Sequence, residues 1–353
     1  MNHAENRATP LAFLHPGWFA VVMGLAGLAL AWHRAAGPMG EAATAVSLVL
    51  AALAAAVFLL LATASLLRWQ RHRAAWHEDL RHPVRHAFVA AVPIAALLLV
   101  TLAVAHGTRG SAVPVAWWTA ALAQLGVTLW VLSRWWRGGP PPAAAASPTA
   151  TAPPPGLQWP VVTPVLLIPI VGNVLVPLAG LPLGQAGWSA AQFGMGLLMW
   201  PVVLALLLAR VAVAGPWPER LLPTGFILVA PPAVVGLALL QFGAPLAAAW
   251  ALWGIALFML LWAATLARRI AALPFALPHW AMSFPLAAFA ALTLRLADDA
   301  AAAAPMRLLG VAALALASLV IAALALATLR GLRDGSLTAP ETVASIQAVQ
   351  PAH

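Results

Sequence analysis

Cysteine, tyrosine and lysine are absent from this 353-residue sequence, and only 8% of its residues carry charge. Without cysteine there is no disulfide framework, no thiolate nucleophile and no cysteine-based metal site, and the redox compartment stays open. Soluble globular domains carry about a quarter charged residues. This chain has far fewer, with 63% hydrophobic residues and a mean hydropathy of +0.93. Too few polar groups exist to cover such a molecule in water, so lipid must be its solvent over most of its area.

All cationic charge is arginine, and the formal net charge is +9. The arginines lie in short loops between apolar blocks, with no basic stripe along a polar helix. Membrane orientation explains them better than nucleic-acid binding. Carboxylates are missing from the middle of every apolar block. Proton-coupled pumps need a carboxylate or histidine relay at depth, so passive conduction or facilitated diffusion is favoured. Acid–base pairs, nucleophile–base arrangements and P-loops are missing too, which argues against an enzyme and assigns no catalytic residue and no cofactor.

What the chain does contain is apolar runs of spanning length, roughly 20 residues each. Ten are expected to cross as helices: 13–32, 44–67, 87–105, 113–132, 159–179, 188–209, 221–242, 245–267, 278–297 and 305–329. The first is too long for a signal-peptide core and lacks a small-x-small cleavage site, so it reads as a span. With the amino terminus inside, fourteen arginines fall on the cytoplasmic side; only Arg34, Arg109, Arg295 and Arg307 fall outside. This bias places both termini in the cytoplasm. Segment 138–156 (GGPPPAAAASPTATAPPPG) has linker composition and is expected to be a loose cytoplasmic connector within one transmembrane domain. The tail 333–353 is expected to be flexible.

Proline placement divides the spans. Pro93, Pro164, Pro169, Pro177, Pro231, Pro232 and Pro285 lie inside odd-numbered spans, whereas Pro201 is the one even-span proline at depth. An interior proline frees a carbonyl of the preceding turn, which needs protein or water around it. Five helical hairpins follow, each with a broken inner helix and a smooth outer one. Helix breaks present N–H groups that favour an anion, and the arginine-rich face would concentrate anions at its mouth.

Individual side chains are less decisive. His72, His77, His82 and His86 beside Glu78 and Asp79 raise a metal site, but Pro83 interrupts the spacing; a hydrated loop is the better reading, and no metal is assigned. Trp69, Trp76, Trp117, Trp118, Trp135, Trp136, Trp159 and Trp188 fall near span ends, as an interfacial belt should. Phe284 precedes Pro285 in the middle of the ninth span, so its ring can either plug a narrow path or pack on a neighbour. Residue type alone favours packing.

Four motifs alter that balance. His15-Pro16-Gly17-Trp18-Phe19 followed by Gly24, and His82-Pro83-Val84-Arg85 with Phe88 and Pro93, are two of them. Pro223-Thr224-Gly225-Phe226 running to Ala230-Pro231-Pro232, and Trp280-Ala281-Met282-Ser283-Phe284-Pro285, are the others. In order and position they resemble the tellurite-resistance/dicarboxylate transporter family, which includes the plant slow anion channels. The resemblance implies an all-α membrane protein of ten transmembrane helices, five hairpins around a central pore, and a homotrimer with one pore per subunit. It also implies a ninth-helix phenylalanine, here Phe284, as pore gate. Phe19 matches a pore-facing aromatic, and Phe88, Pro93, Phe226, Pro231 and Pro285 are expected to line the path. Trp18 stands where relatives often have tyrosine, and Pro285 where some have glycine; long plant-type regulatory tails are not expected. Small inorganic or organic anions are the expected partners, in the plasma or inner membrane. The alternative function is a carrier or exporter of C4-dicarboxylates, related organic anions or sulfite, with tellurite resistance an incidental trait.

Overall fold

A computed structural model describes residues 10–137, 159–299 and 303–337. The linker expected at 138–156 and most of the tail expected at 333–353 lie outside those residues. Among the described residues the regular structure is helical, and nine helices are long and apolar enough to cross a membrane. Ten major α-helices are numbered in chain order. The first five are α1 (Phe19–Arg34), α2 (Glu41–Arg71), α3 (Ala91–Ala105), α4 (Ala112–Arg137) and α5 (Ile168–Gly180). The others are α6 (Ala186–Ala214), α7 (Ala230–Gln241), α8 (Leu246–Ala264), α9 (Ser283–Leu296) and α10 (Ala303–Arg333).

The odd helices are short, and each continues a 3-10 segment. These precede α1 at Pro16–Trp18, α3 at Arg85–Ala90, α5 at Pro164–Leu167, α7 at Glu219–Val229 and α9 at Leu277–Met282. Proline explains the change of geometry in four of the five; α1 opens on Phe19-Ala20-Val21, and its proline, Pro16, starts the 3-10 turn instead. Pro93, Pro169, Pro231 and Pro285 fall in the first three positions of their α-helices, where a missing N–H is tolerated. A proline nitrogen cannot close an i→i+4 bond to the turn before it, and that turn tightens to 3-10. The breaks expected in odd spans are therefore present as 3-10-to-α junctions, not as kinks in continuous α-helix. Pro177 and Pro201 are the prolines inside α-helical stretches.

The fifth run departs furthest from a simple span. Thr163 before Pro164 is extended, at φ −128° and ψ 159°, as a pre-proline residue should be. Its 3-10 and α pieces together form only a shorter apolar element, Pro164–Gly180.

Packing separates the two classes. In the long odd elements 61–94% of the most apolar window is buried, against 17–33% in the even helices. Exposed side chains on even helices include Val49, Leu198, Phe258, Leu308 and Leu319, the surface an apolar solvent demands. α1 packs on α3, α3 on α5, α5 on α7, α7 on α9 and α9 on α1, which closes a ring. The five 3-10 segments touch in the same cyclic order. The five broken elements therefore run parallel. Each even helix packs outside its odd predecessor, α2 on α1 through to α10 on α9.

Two sequence expectations change here. The histidine-bearing stretch is not a loop, because Arg73–Arg81 forms a helix. Trp117 is not interfacial: it is fully buried and donates its indole N–H to the Val176 carbonyl at 3.1 Å. Gly180 makes room for that ring, since a Cβ there would sit 2.4 Å from it.

Candidate permeation site

The junction ring gathers the residues singled out from the sequence. Phe19 opens α1, Pro231 is the second residue of α7, and Phe284 and Pro285 are the second and third of α9. Pro93 is the third residue of α3; Phe88 and Phe226 lie in the 3-10 turns that lead into α3 and α7. Five α-helix N-termini meet in this layer. The first N–H of each donates to a carbonyl of the 3-10 turn before it, so these ends continue a helix and are not free termini.

Phe284 is buried at 6% exposure. Its neighbour on α1 is Gly27, where a Cβ would come within 2.8 Å of the ring carbon Cδ2. One turn earlier Gly24 admits Ser283 and Trp280 in the same way. The glycine pair brings α9 against α1 and sets the space available to the ring. The turn that leads into Phe284 is held by two hydrogen bonds. Ser283 Oγ donates to the Trp280 carbonyl at 2.6 Å, and Trp280 Nε1 donates to Thr328 Oγ1 on α10 at 2.8 Å.

The other aromatics differ in their surroundings. Phe19 lies edge-on to Phe58 of the outer helix α2, with ring centroids 5.6 Å apart. Phe88 is half-buried and tilted against His15, 6.2 Å between centroids, at the start of the ring. Phe226, Pro93, Pro231 and Pro285 are buried.

Two polar clusters escaped the sequence reading. The first surrounds the Pro169 carbonyl at the α5 junction. Gln124 Nε2, Thr128 Oγ1 and Asn173 Nδ2 lie at 2.8, 2.7 and 2.8 Å from that oxygen. Gln192 Nε2 on α6 donates to Asn173 Oδ1 at 3.0 Å and to the Ala121 carbonyl at 2.8 Å. All four side chains are buried. Gly172 accommodates the Gln124 amide, with which a Cβ would collide at 2.2 Å. The visible signal was three amide side chains inside apolar runs, a residue type that lipid-facing positions do not tolerate.

The second cluster lies at the arginine-rich end. Arg68 and Asp79 are each 2% exposed, and Arg68 Nη2 sits 2.7 Å from Asp79 Oδ2. Their angle is not that of a hydrogen bond, so the contact is an ion pair by distance. Arg85 Nη1 reaches Asp79 Oδ1 at 3.1 Å, and Arg68 Nε donates to the Ala12 carbonyl at 3.1 Å. One carboxylate on Arg73–Arg81 thus ties α2 to the 3-10 turn that opens the second inner element, α3. His82 belongs to this scaffold, because its Nδ1 accepts from the Val84 and Arg85 N–H groups. Among the described residues no group of three or more histidine or carboxylate side chains is arranged to hold a metal ion.

The chain is 24% identical over 275 residues to the S-type anion channel SLAH2 of Arabidopsis thaliana, covering 77% of this chain and 50% of that protein. It thus spans about half the length of that curated relative. The family model described as voltage-dependent anion channel, SLAC1, matches residues 14–329. That match covers all five broken inner elements and their outer partners. By it the chain belongs to the SLAC1 family, a family of membrane anion channels and not of enzymes.

Proposed function

We propose that this protein lets small anions cross the membrane passively, along the axis of the five broken inner elements, with the Phe284 ring as the gate. The observation that carries the reading is the ring of parallel 3-10-to-α junctions. The residues named in that layer are aromatic rings and prolines, so an ion that enters it meets no fixed cation among them and can also leave. A buried aromatic ring in that layer excludes water and ions until it turns aside. Phe226, Phe88, Pro93, Pro231 and Pro285 form the lining in this proposal. Phe19, held against Phe58, supports the wall from behind instead of facing the path.

The proposed membrane topology is ten crossings as five hairpins with cytoplasmic termini, so that anions on the arginine-rich side meet the 3-10 ends first. A trimer with one path per subunit, in the plasma or inner membrane, completes the proposal on the strength of the family resemblance.

The test is planar-bilayer recording of purified wild-type protein and Phe284→Ala with a series of anions. A gate removed from a dewetted constriction raises conductance about tenfold or more, the equivalent of roughly 1.4 kcal/mol off the barrier. Equal currents from equal amounts of inserted protein would refute the gate. Saturable uptake with counterflow of a C4-dicarboxylate in proteoliposomes, without channel currents, would replace the channel with a carrier.

A further inference from the structure

Away from the junction ring, a crevice of about 120 Å³ opens at the arginine-rich end. It lies between the end of α6, the 3-10 segment Glu219–Val229 and the end of α8, with Trp217, Leu222, Gly225, Leu228, Trp262 and Leu266 in its wall. The wall is almost wholly apolar. Its polar groups are the Thr265 hydroxyl, which donates to the Trp262 carbonyl at 2.6 Å, and the indoles of Trp217 and Trp262. Trp217 is 6% exposed, and its buried indole N–H has no hydrogen-bond partner among the described residues.

The charge around the crevice has one sign. Arg210 is 7% exposed, and its Nη1 holds the Ala214 carbonyl at 2.9 Å and that of Gly215, while its Nε has no partner. Arg220 and Arg268, two residues along the chain from Leu222 and Leu266 of the wall, are exposed. Among the described residues none of these three lies within ion-pair distance of a carboxylate. Glu219 is engaged by Arg269 at 3.1 Å. Around the apolar slot stand four arginines and one carboxylate.

The surroundings fix the kind of occupant. Trp262 stacks on Phe258 one turn up α8 at 6.4 Å, and Phe258 is 62% exposed. Val213 at the end of α6 is 72% exposed. The crevice therefore continues the lipid-facing surface instead of opening only to water. A tryptophan pair at this level is where headgroup and acyl chain meet.

We propose that this crevice is a binding site for an anionic phospholipid. One acyl chain enters the slot against the Trp217 and Trp262 rings, and the exposed Arg220 and Arg268 hold the headgroup phosphate. Arg210 behind the turn adds a positive field that no carboxylate offsets. The site is independent of the permeation path, so its test does not depend on conductance.

Native mass spectrometry of the delipidated full chain, titrated with phosphatidylglycerol or phosphatidylcholine of the same chains, reads it directly. The wild type retains phosphatidylglycerol about tenfold more tightly, the scale of a charge-assisted hydrogen bond. Arg220→Gln with Arg268→Gln brings the two lipids near parity. Leu266→Trp, which fills the mouth, abolishes retention of both. Equal retention of the two lipids by the wild type, or an unchanged preference in the double arginine variant, overturns the proposal. Displacement of phosphatidylglycerol by excess inorganic phosphate alone would leave only an anion site and also overturn it. Cross-linking of the crevice to a second copy of the chain, with exclusion of lipid, would do the same.

Discussion

At the scale of single residues, Phe284 separates gating from packing by the sign of two measurements. Truncating a phenylalanine that serves only as core costs about 3–5 kcal/mol. Phe284→Ala should therefore lower the midpoint of thermal unfolding in detergent with no gain in flux if packing is its whole role. A gate gives the opposite pattern, a large gain in conductance with a smaller loss of stability. Gly27 supplies an independent handle, because its missing Cβ is what the ring edge occupies. Gly27→Ala should press on the ring and change open probability without touching any polar group. Currents identical to wild type would detach the ring from its α1 neighbour. Asp79 is a different case, a carboxylate with two arginines and one of them buried. Asp79→Asn leaves Arg68 charged and uncompensated, and the expected loss is about 3–5 kcal/mol, read as a fall in the yield of folded protein in mild detergent. A folded, fully stable variant would mean that water enters this cluster.

The inner elements owe their shape to proline chemistry, and that part was legible in the sequence. Pro93, Pro169, Pro231 and Pro285 distinguish odd from even runs before any coordinates are known. Their burial follows, because a broken helix cannot face lipid. The form of the break was not legible. Whether a proline kinks an α-helix or starts one depends on the turn upstream, and hydropathy is blind to that turn. Arg68 was equally hidden: in sequence it is one more loop arginine, and only the return of Arg73–Arg81 beneath α2 buries it. The Pro169 cluster escaped for a related reason, since averaged hydropathy absorbs single amides. Its role belongs to the element, because Gln124, Thr128 and Asn173 together satisfy a carbonyl at a helix junction. Asn173→Leu should remove the central link to Gln192 and cost about 1–2 kcal/mol. A fall in the detergent unfolding midpoint, absent from Asn173→Gln if the longer amide restores the contacts, is the expected observation.

For the whole molecule, the arrangement puts attraction and selectivity in different places. Backbone groups inside the ring act on an anion only at short range, whereas the arginines of one face act over a Debye length, about 10 Å at 0.1 M salt. The two contributions separate by ionic strength. Arg71, Arg73 and Arg81 are exposed at that face and are not members of the buried Asp79 cluster. Replacing all three with glutamine should reduce anion current at low salt, where surface potential raises the local anion concentration. At about 1 M salt, with a screening length near 3 Å, the same variant should conduct like the wild type. An equal deficit at both concentrations would place these arginines on the path itself and move selectivity from backbone dipoles to fixed cations. Salt-independent wild-type behaviour would instead mean that the arginine-rich end is not the mouth through which anions arrive, and the orientation of the ring would have to be reversed.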